Sequence, residues 1–412
     1  MTALVIRADA RALPLPDASV DLIVTSPPYW ALRSYTDGGQ HYTGQIGDEP
    51  TPGEYVTALL DCTCEWMRVL KSTGSIFVNL GDKYATRYSS RRGEGRAGFN
   101  GDDDTRSRAG QNRTGSPEKS LLLLPERYRI GAVDRLGLTA RAVLIWSKPN
   151  GLPESVTDRV RRSHEDWVHL TKAPRYFSSV DEIREPHSRV DPPRPLGTRN
   201  ATQAHLAATD NVGWKDHLVA HNTLGRLPGS VWEIATQPLK VPDELAVDHF
   251  AAFPLEWPRR IIAGWSPVGI CTACGEGRRP VARRTVLDAA PARRIPGTGR
   301  DPLSRHGQAD AGSTLRGRHS SAITTYACAC PDLTAPTRPA VVLDPFGGTG
   351  TTALVASVLG RRGVTVDRSA DYCRIAAWRT TDRGERARAL GLPKPPPELV
   401  GQSALFGEDV VR

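Results

Sequence analysis

The chain has 412 residues, enough for one large domain with insertions or for two domains. Its hydrophobic content of 39% supports a core, and no run of 18 apolar residues occurs, so a membrane-spanning helix is not expected. The formal charge is +9, carried by 46 Arg and only 8 Lys; this suits a polyanionic partner, and a GC-rich genome gives the same Arg excess.

The first residues, MTALVIRADARALPLPD, lack a basic start followed by an apolar stretch. They read as a first strand at 3–6 rather than a secretion signal, and a cytoplasmic location is expected. A second buried strand follows at 20–25. Residues 53–70 read as an amphipathic helix, with Val56, Leu59, Leu60, Met67 and Leu70 near helical spacing. Another strand is expected at 74–80, and this alternation points to an α/β parallel sheet. Residues 84–119 hold eight basic and five acidic residues and almost no core-formers, so a mobile loop is expected. LLLLPERYRIGAVDRLG from 121 reads as a helix, and TARAVLIWSK as the next strand.

Residues 186–240 are polar and irregular. A helix is expected at 250–264, after Pro254. Residues 275–327 form a second basic stretch, with ten Arg against four acids. The segment AVVLDPFGGTGTTALVASVLGRRGVTVDRSADYCRIAAWR reads strand, glycine-rich turn, helix, strand, helix, with Gly360 stopping the first helix and Gly363 opening the second strand. After 392 the chain is Pro-rich and expected to be extended.

Two turns carry chemistry. VLDPFGGTGTT at 342–352 sets Gly347, Gly348 and Gly350 between a buried strand and a helix. Glycines let backbone approach a ligand closely, and the helix start supplies free N–H groups. No Lys lies here, so a phosphate-binding P-loop is excluded. Asp367, at the end of the following strand, is suited to accept hydrogen bonds from ribose hydroxyls, which points to an adenosine-bearing cofactor; a tight packing turn with a solvated acid is the plainer reading. The other turn is Thr-Ser-Pro-Pro-Tyr-Trp, at 25–30, where a buried strand runs into two rigid prolines and two aromatic rings.

Together these turns resemble the DNA amino-methyltransferases, which modify N4 of cytosine or N6 of adenine with S-adenosyl-L-methionine. The order resembles the permuted beta group, in which the catalytic motif comes first and the cofactor motif last. RADARALPLPDASVDLIVTSPPYW, EWMRVLKSTGSIFVNLGDKY, VLIWSKPNGLPESVTDRVRRSHEDWVHLTKAPRYF and HFAAFPLEWPRRIIAGWSP extend the resemblance over most of the ordered chain. The fold it implies is Rossmann-like, with a mixed, mostly parallel, permuted sheet. Residues 1–185 would form the catalytic half, 186–240 the target-recognition region, and 241–270 with 331–392 the cofactor half; 271–330 would be a cysteine-bracketed insertion and 393–412 a tail.

By the same resemblance Ser26, Pro27, Pro28 and Tyr29 are catalytic. Ser26 and the Pro27 carbonyl would accept hydrogen bonds from the target amine, the prolines would keep these acceptors preorganised, and Tyr29 would stack on a flipped-out base. Trp30 would line the mouth or pack in the core. Asp344, Phe346, Gly347 and Gly350 would form the methionine-side turn, Asp367 would hold the ribose, and Asp9 would lie near the adenine or simply cap its strand. Adenine enzymes of the family mostly carry Asp or Asn where Ser26 stands, so the hydroxyl favours cytosine N4 over adenine N6. Arg159, His164 and Glu165 would touch DNA or support the base pocket; a surface histidine is the plainer reading.

The seven cysteines are too odd a set for a disulfide framework. Cys62, Cys64 and Cys373 read as small buried residues. Cys271-x-x-Cys274 and Cys328-x-Cys330 bracket the second basic stretch and are suited to a tetrahedral structural zinc, with reduced free thiols as the alternative; His306 and His319 read as solvated. The partner expected is double-stranded DNA, with a cognate restriction endonuclease as a further possible partner. A different class remains open: a methyltransferase-like nucleic-acid-binding protein that does not turn over. Protein-amide methylation fits less well, since that class usually carries Asn before the prolines.

Overall fold

The computed structural model describes residues 3–32, 35–41, 43–85, 115–151, 153–187, 222–245, 252–288, 318–330 and 334–396. The expected loop at 84–119, the irregular stretch after 187 and the tail fall largely outside these residues, as do His306 and the side chain of His319.

The main sheet is built from β1 (Leu4–Arg7), β2 (Val20–Thr25), β5 (Leu70–Leu80), β6 (Thr139–Ser147), β7 (His164–Thr171), β8 (Val231–Glu233), β13 (Val341–Asp344) and β14 (Arg362–Asp367). Two short hairpin strands, β3 (Thr36–Asp37) and β4 (Gln40–His41), lie outside it. So do β9 (Ile270–Cys271), paired with β12 (Thr337–Arg338), and a long ribbon of β10 (Arg279–Asp288) and β11 (Arg318–Ala327). The sheet order is β1-β14-β13-β2-β5-β7-β6-β8. Its pairs are parallel from β1 to β5 and between β6 and β8; β7 runs antiparallel to both its neighbours.

Among the described residues six helices flank the sheet: α1 (Pro52–Val69), α2 (Leu124–Asp134), α3 (Glu256–Trp265), α4 (Thr351–Val358), α5 (Ala370–Thr381) and α6 (Arg383–Leu390). α1 begins with a capping box: Thr51 Oγ1 accepts from the Glu54 N–H at 3.2 Å, and Glu54 Oε2 accepts from the Thr51 N–H at 2.9 Å, with Pro52 in the first turn. α2 lacks a cap from its own start. Asp82, just beyond β5, accepts from the N–H groups of Leu123 and Leu124, both at 3.1 Å. None of these helices is long and apolar enough to cross a membrane.

Every residue of β2 is buried. Ile23 faces a core formed with α1 and α2, while Leu22 and Val24 face a second core under α3, α4 and α6. A strand covered on both sides needs apolar residues at consecutive positions, which is why VDLIVT reads as a run and not as an alternation. In the second core Trp232 and Trp167 stack on Trp257 at ring distances of 4.9 and 5.0 Å.

Several expectations change. β5 starts at Leu70, directly out of α1. His164 is exposed, as a surface histidine would be, and it opens a strand, β7. The stretch 186–240 contributes β8 to the sheet, with Trp232 only 2% exposed. Cys62 is buried as expected, but Cys64, two residues along the same helix, turns to another face and is exposed, and Cys373 is intermediate.

His169 lies deep in β7, stacked on Phe77 at 4.1 Å and hydrogen-bonded to Ser75 Oγ at 3.1 Å. Burial, aided by the charge of Arg141, pushes its pKa down to about 3. The unfolded chain protonates this ring near pH 6.5, whereas the folded chain does so only near 3, so stability is full above pH 6.5 and falls as the pH drops toward 3. The contribution lost by the acid end is on the order of 4 kcal/mol. Unfolding titrations of wild type and His169→Asn between pH 7 and 4 check this: the variant starts less stable but declines less steeply, and parallel curves would refute the assignment.

Candidate active site

The permuted chain order produces the site. β2 leads through α1 to β5 on one side, and β13 leads through α4 to β14 on the other, so the connections diverge between the adjacent strands β2 and β13. In an open α/β sheet the crevice at the carboxyl ends of such strands is where ligands bind. A cleft opens there, lined by Asp9, Ser26 and Pro28, by Phe346, Gly347 and Gly348, and by Asp367. It brings together residues more than 300 positions apart.

The two turns are bonded to each other. Thr25 Oγ1 donates to Asp344 Oδ1 at 2.7 Å, and the single proton of Thr352 Oγ1 is shared between Asp344 Oδ2 at 2.9 Å and the Val24 carbonyl at 3.1 Å. The Phe346 N–H adds a third bond to Asp344, at 3.1 Å. Asp344 is therefore turned inward and does not line the cleft. Burial pushes its pKa up to about 7 despite these bonds. Its part is to hold the glycine turn against β2, within the turn where the sequence sets it.

The turn itself tolerates no extra atoms at one position. A Cβ on Gly347 would lie 1.5 Å from Thr365 Oγ1. Gly350 has φ +75° and caps α4; it too lies outside the lining. Gly348, at φ +47°, has open space where a Cβ would stand, and its N–H donates to Asp367 Oδ2 at 2.9 Å. Asp367 Oδ1 accepts from the Ser369 N–H at 2.9 Å; burial raises this carboxyl's pKa against those bonds. Below the turn, buried Arg379 bonds Glu385 at 2.8 Å and the hydroxyls of Thr351 and Thr349 at 2.7 and 3.1 Å. Asp9, at the rim, is held by the Arg11 guanidinium at 2.7 Å; burial alone would raise its pKa, but the Arg11 bonds bring it below the usual carboxylate range.

On the other wall, Ser26 Oγ donates to Asn79 Oδ1 at 3.3 Å. Tyr29 Oη lies 2.8 Å from Asn79 Oδ1 and 2.7 Å from Glu165 Oε2, and Lys148 Nζ forms a short ion pair with Glu165 Oε1. Burial first, and then the Glu165 charge, raise the Tyr29 pKa well above its ordinary value, so the phenol stays a proton donor. Its ring lies against Gly81, where a Cβ would stand 2.6 Å from Tyr29 Cε2. The ring of Pro28 lines the cleft, while Pro27 is buried and Tyr29 lies behind the lining. The Pro28 carbonyl accepts from Tyr55 Oη at 2.8 Å. Trp30 is a core residue, 5% exposed, with Nε1 bonded to the Glu49 carbonyl at 2.9 Å.

Sequence reasoning missed Asn79 and Lys148. The signal for Asn79 was a lone amide at the end of an otherwise apolar strand, GSIFVNL, next to β2 in the sheet. Arg159 and His164 do not join this network: Arg159 pairs with Glu154 at 2.8 Å and lies over the Tyr84 ring. The proposed zinc set is also partly redistributed. The Sγ atoms of Cys271, Cys274 and Cys328 lie within 4.8 Å of one another, and Cys330 is outside that group. The N–H groups of Cys274 and Ala273 pull the Cys271 thiol down to about 6.

An eight-stranded, mostly parallel sheet with a glycine turn and a strand-end acid at its switch point defines the class of Rossmann-like S-adenosylmethionine-dependent methyltransferases. Residues 20–273 and 335–377 match the N6/N4 family described as DNA methylase, and the chain belongs to that family; it is a DNA methyltransferase, with the motif order of the beta group. The Type II methyltransferase M.SmaI of Serratia marcescens is 33% identical over 254 residues, covering 60% of this chain and 70% of that protein. M.Cfr9I of Citrobacter freundii is 32% identical over 253 residues, covering 60% and 67%. Among solved structures, PvuII DNA methyltransferase (cytosine-N4-specific) is 16% identical with a TM-score of 0.49, covering 95% of this chain and 91% of that one.

Proposed function

We propose that this chain methylates the exocyclic N4 amine of a cytosine flipped out of duplex DNA, and that Ser26, Pro27, Pro28 and Tyr29 form the base-holding wall. The observation that carries the amine-methylation reading is the Ser26–Asn79 contact, and the choice of cytosine rests on a hydroxyl standing at 26, where the family's adenine enzymes mostly carry Asp or Asn. With its proton given to Asn79, the Ser26 oxygen keeps lone pairs to accept a hydrogen bond from an amine N–H. Such acceptors draw the amine out of conjugation with the ring and aim its nitrogen lone pair. Tyr29, its phenol tied to Asn79 or Glu165, offers its remaining exposed surface as a stacking partner.

The cleft's residues fit S-adenosylmethionine. Gly348 leaves open space where a side chain would stand, Gly347 lets the turn pack close on β14, Asp367 presents a carboxylate with unused lone pairs, and Ile46, Phe253 and Phe346 supply apolar walls for a flat ring. When bound, that molecule supplies an electrophilic methyl on sulfur. Phe346, Gly347 and Asp367 would hold it, with Asp9 at the rim and Asp344 and Gly350 supporting the turn.

The second reading is the same reaction on N6 of adenine, whose amine would make the same bond to Ser26. The test is to incubate the protein with duplex DNA and labelled S-adenosylmethionine, digest to nucleosides and chromatograph. Label in N4-methylcytosine is expected, and label in N6-methyladenine would transfer the assignment to adenine. Donor binding without label on varied duplexes would instead favour a silent DNA-binding protein. The Type II names of the relatives support pairing with a cognate restriction endonuclease, and chromosomal DNA as substrate supports a cytoplasmic site of action.

A further inference from the structure

We propose that Cys271, Cys274, Cys328 and Cys330 bind a structural Zn²⁺ that ties together the two roots of the β10–β11 ribbon. The site is separate from the cleft, and none of its thiols lines the cleft. Three sulfurs within 4.8 Å of one another match thiolates on a single ion, since Zn–S bonds of about 2.3 Å set tetrahedral sulfurs roughly 3.8 Å apart. Sulfur donors select zinc over magnesium or calcium.

The backbone is shaped for this. β9 delivers Cys271, whose N–H donates to the Glu276 carbonyl at 2.9 Å. The Gly275 N–H donates back to the Cys271 carbonyl at 2.9 Å, with Gly275 at φ +76°. This tight turn, which a glycine permits, folds Cys271 and Cys274 toward one side. Cys328 follows directly on β11, so the thiols stand at both roots of the ribbon.

The ribbon needs such a tie. None of its described side chains, from Arg279 to Thr285 and from Ser321 to Ala327, is buried. A two-stranded ribbon without a core is marginal in water. Its described anchors to the body are few, among them Arg279 Nη1 to the Ser178 carbonyl at 2.9 Å. A metal joining both roots supplies what an apolar core would otherwise provide. Cys330, two residues beyond Cys328 and half-buried, closes the fourth position by a turn of the short Cys-Ala-Cys segment when the ion binds.

Metal analysis of protein purified under reduction without chelator should find about one zinc per chain. Removing it should speed hydrogen exchange of the β10–β11 amides while donor binding in the cleft persists. Cys274→Ser should lose the metal, Cys330→Ser should keep it with affinity weakened by roughly tenfold or more, and Cys64→Ser should change nothing. Zinc far below one per chain after growth with added zinc would overturn the site, as would a disulfide among these cysteines in freshly reduced protein. Wild-type affinity in Cys330→Ser would overturn the four-thiolate assignment.

Discussion

Gly347→Ala is expected to lower affinity for S-adenosylmethionine by on the order of 100-fold while leaving most of the fold intact. The added Cβ would stand 1.5 Å from Thr365 Oγ1 and 2.8 Å from Thr365 Cβ. Thr365 belongs to β14, which is hydrogen-bonded on both sides and cannot retreat. The turn must therefore shift into the cleft, by more than the roughly 1 Å that already degrades a positioned ligand. Thr365→Ala in the same chain should recover part of the loss. Among the described residues the buried Thr365 Oγ1 has no hydrogen-bond partner, so its removal leaves no group stranded, but the 2.8 Å contact to Cβ remains. Gly348→Ala should cost less, on the order of 1 kcal/mol of backbone strain, because its Cβ would meet open space. Calorimetric titration with the donor or its demethylated product decides the matter. Equal affinities for Gly347→Ala and wild type would show that the turn does not carry the donor.

Tyr29→Ala should lower kcat by about 100-fold or more with little change in donor affinity. Stacking on an extrahelical base is worth roughly 1–3 kcal/mol, and loss of the phenol also removes the donor shared by Asn79 and Glu165. Tyr29→Phe separates these effects. The ring and its seat on Gly81 survive, Glu165 retains Lys148, and Asn79 retains Ser26. That variant should lose only about tenfold, the scale of one hydrogen bond. Ser26→Ala should lower kcat more than Tyr29→Phe, since the proposed acceptor for the amine is itself deleted. Single-turnover rates with saturating donor and duplex check the ranking. A Tyr29→Ala rate within about threefold of wild type, less than 1 kcal/mol, would be incompatible with a stacking role.

The strands and helices that frame the cleft were legible because their signals are local. VDLIVT is an apolar run closed by prolines, and VVLD is closed by Pro-Phe-Gly-Gly. Both turns lie at strand ends, where rigid or left-handed backbone is required. β8 was not legible: three residues, Val231–Glu233, are too few for a period, and the burial of Trp232 comes from Trp257 and β6. The supporting residues were illegible for a similar reason. Asn79 and Lys148 acquire meaning only beside Ser26, Tyr29 and Glu165, and nothing in their own neighbourhoods states that adjacency.

The sequence by itself determined the family, the two turns, their permuted order and the need for glycine between β13 and α4, because turn chemistry and hydrophobic runs act over a few residues. Only the tertiary structure decided how those residues divide their work. Asp344 turns inward because Thr25 and Thr352 approach it from other parts of the chain, and Asp367 remains in the wall because the cleft opens between diverging crossovers. Cys64 stays exposed while Cys271, Cys274 and Cys328 converge. Side-chain roles of this kind depend on which long-range neighbour satisfies each polar or sulfur atom, and that is set by packing across the sheet and at the ribbon's root.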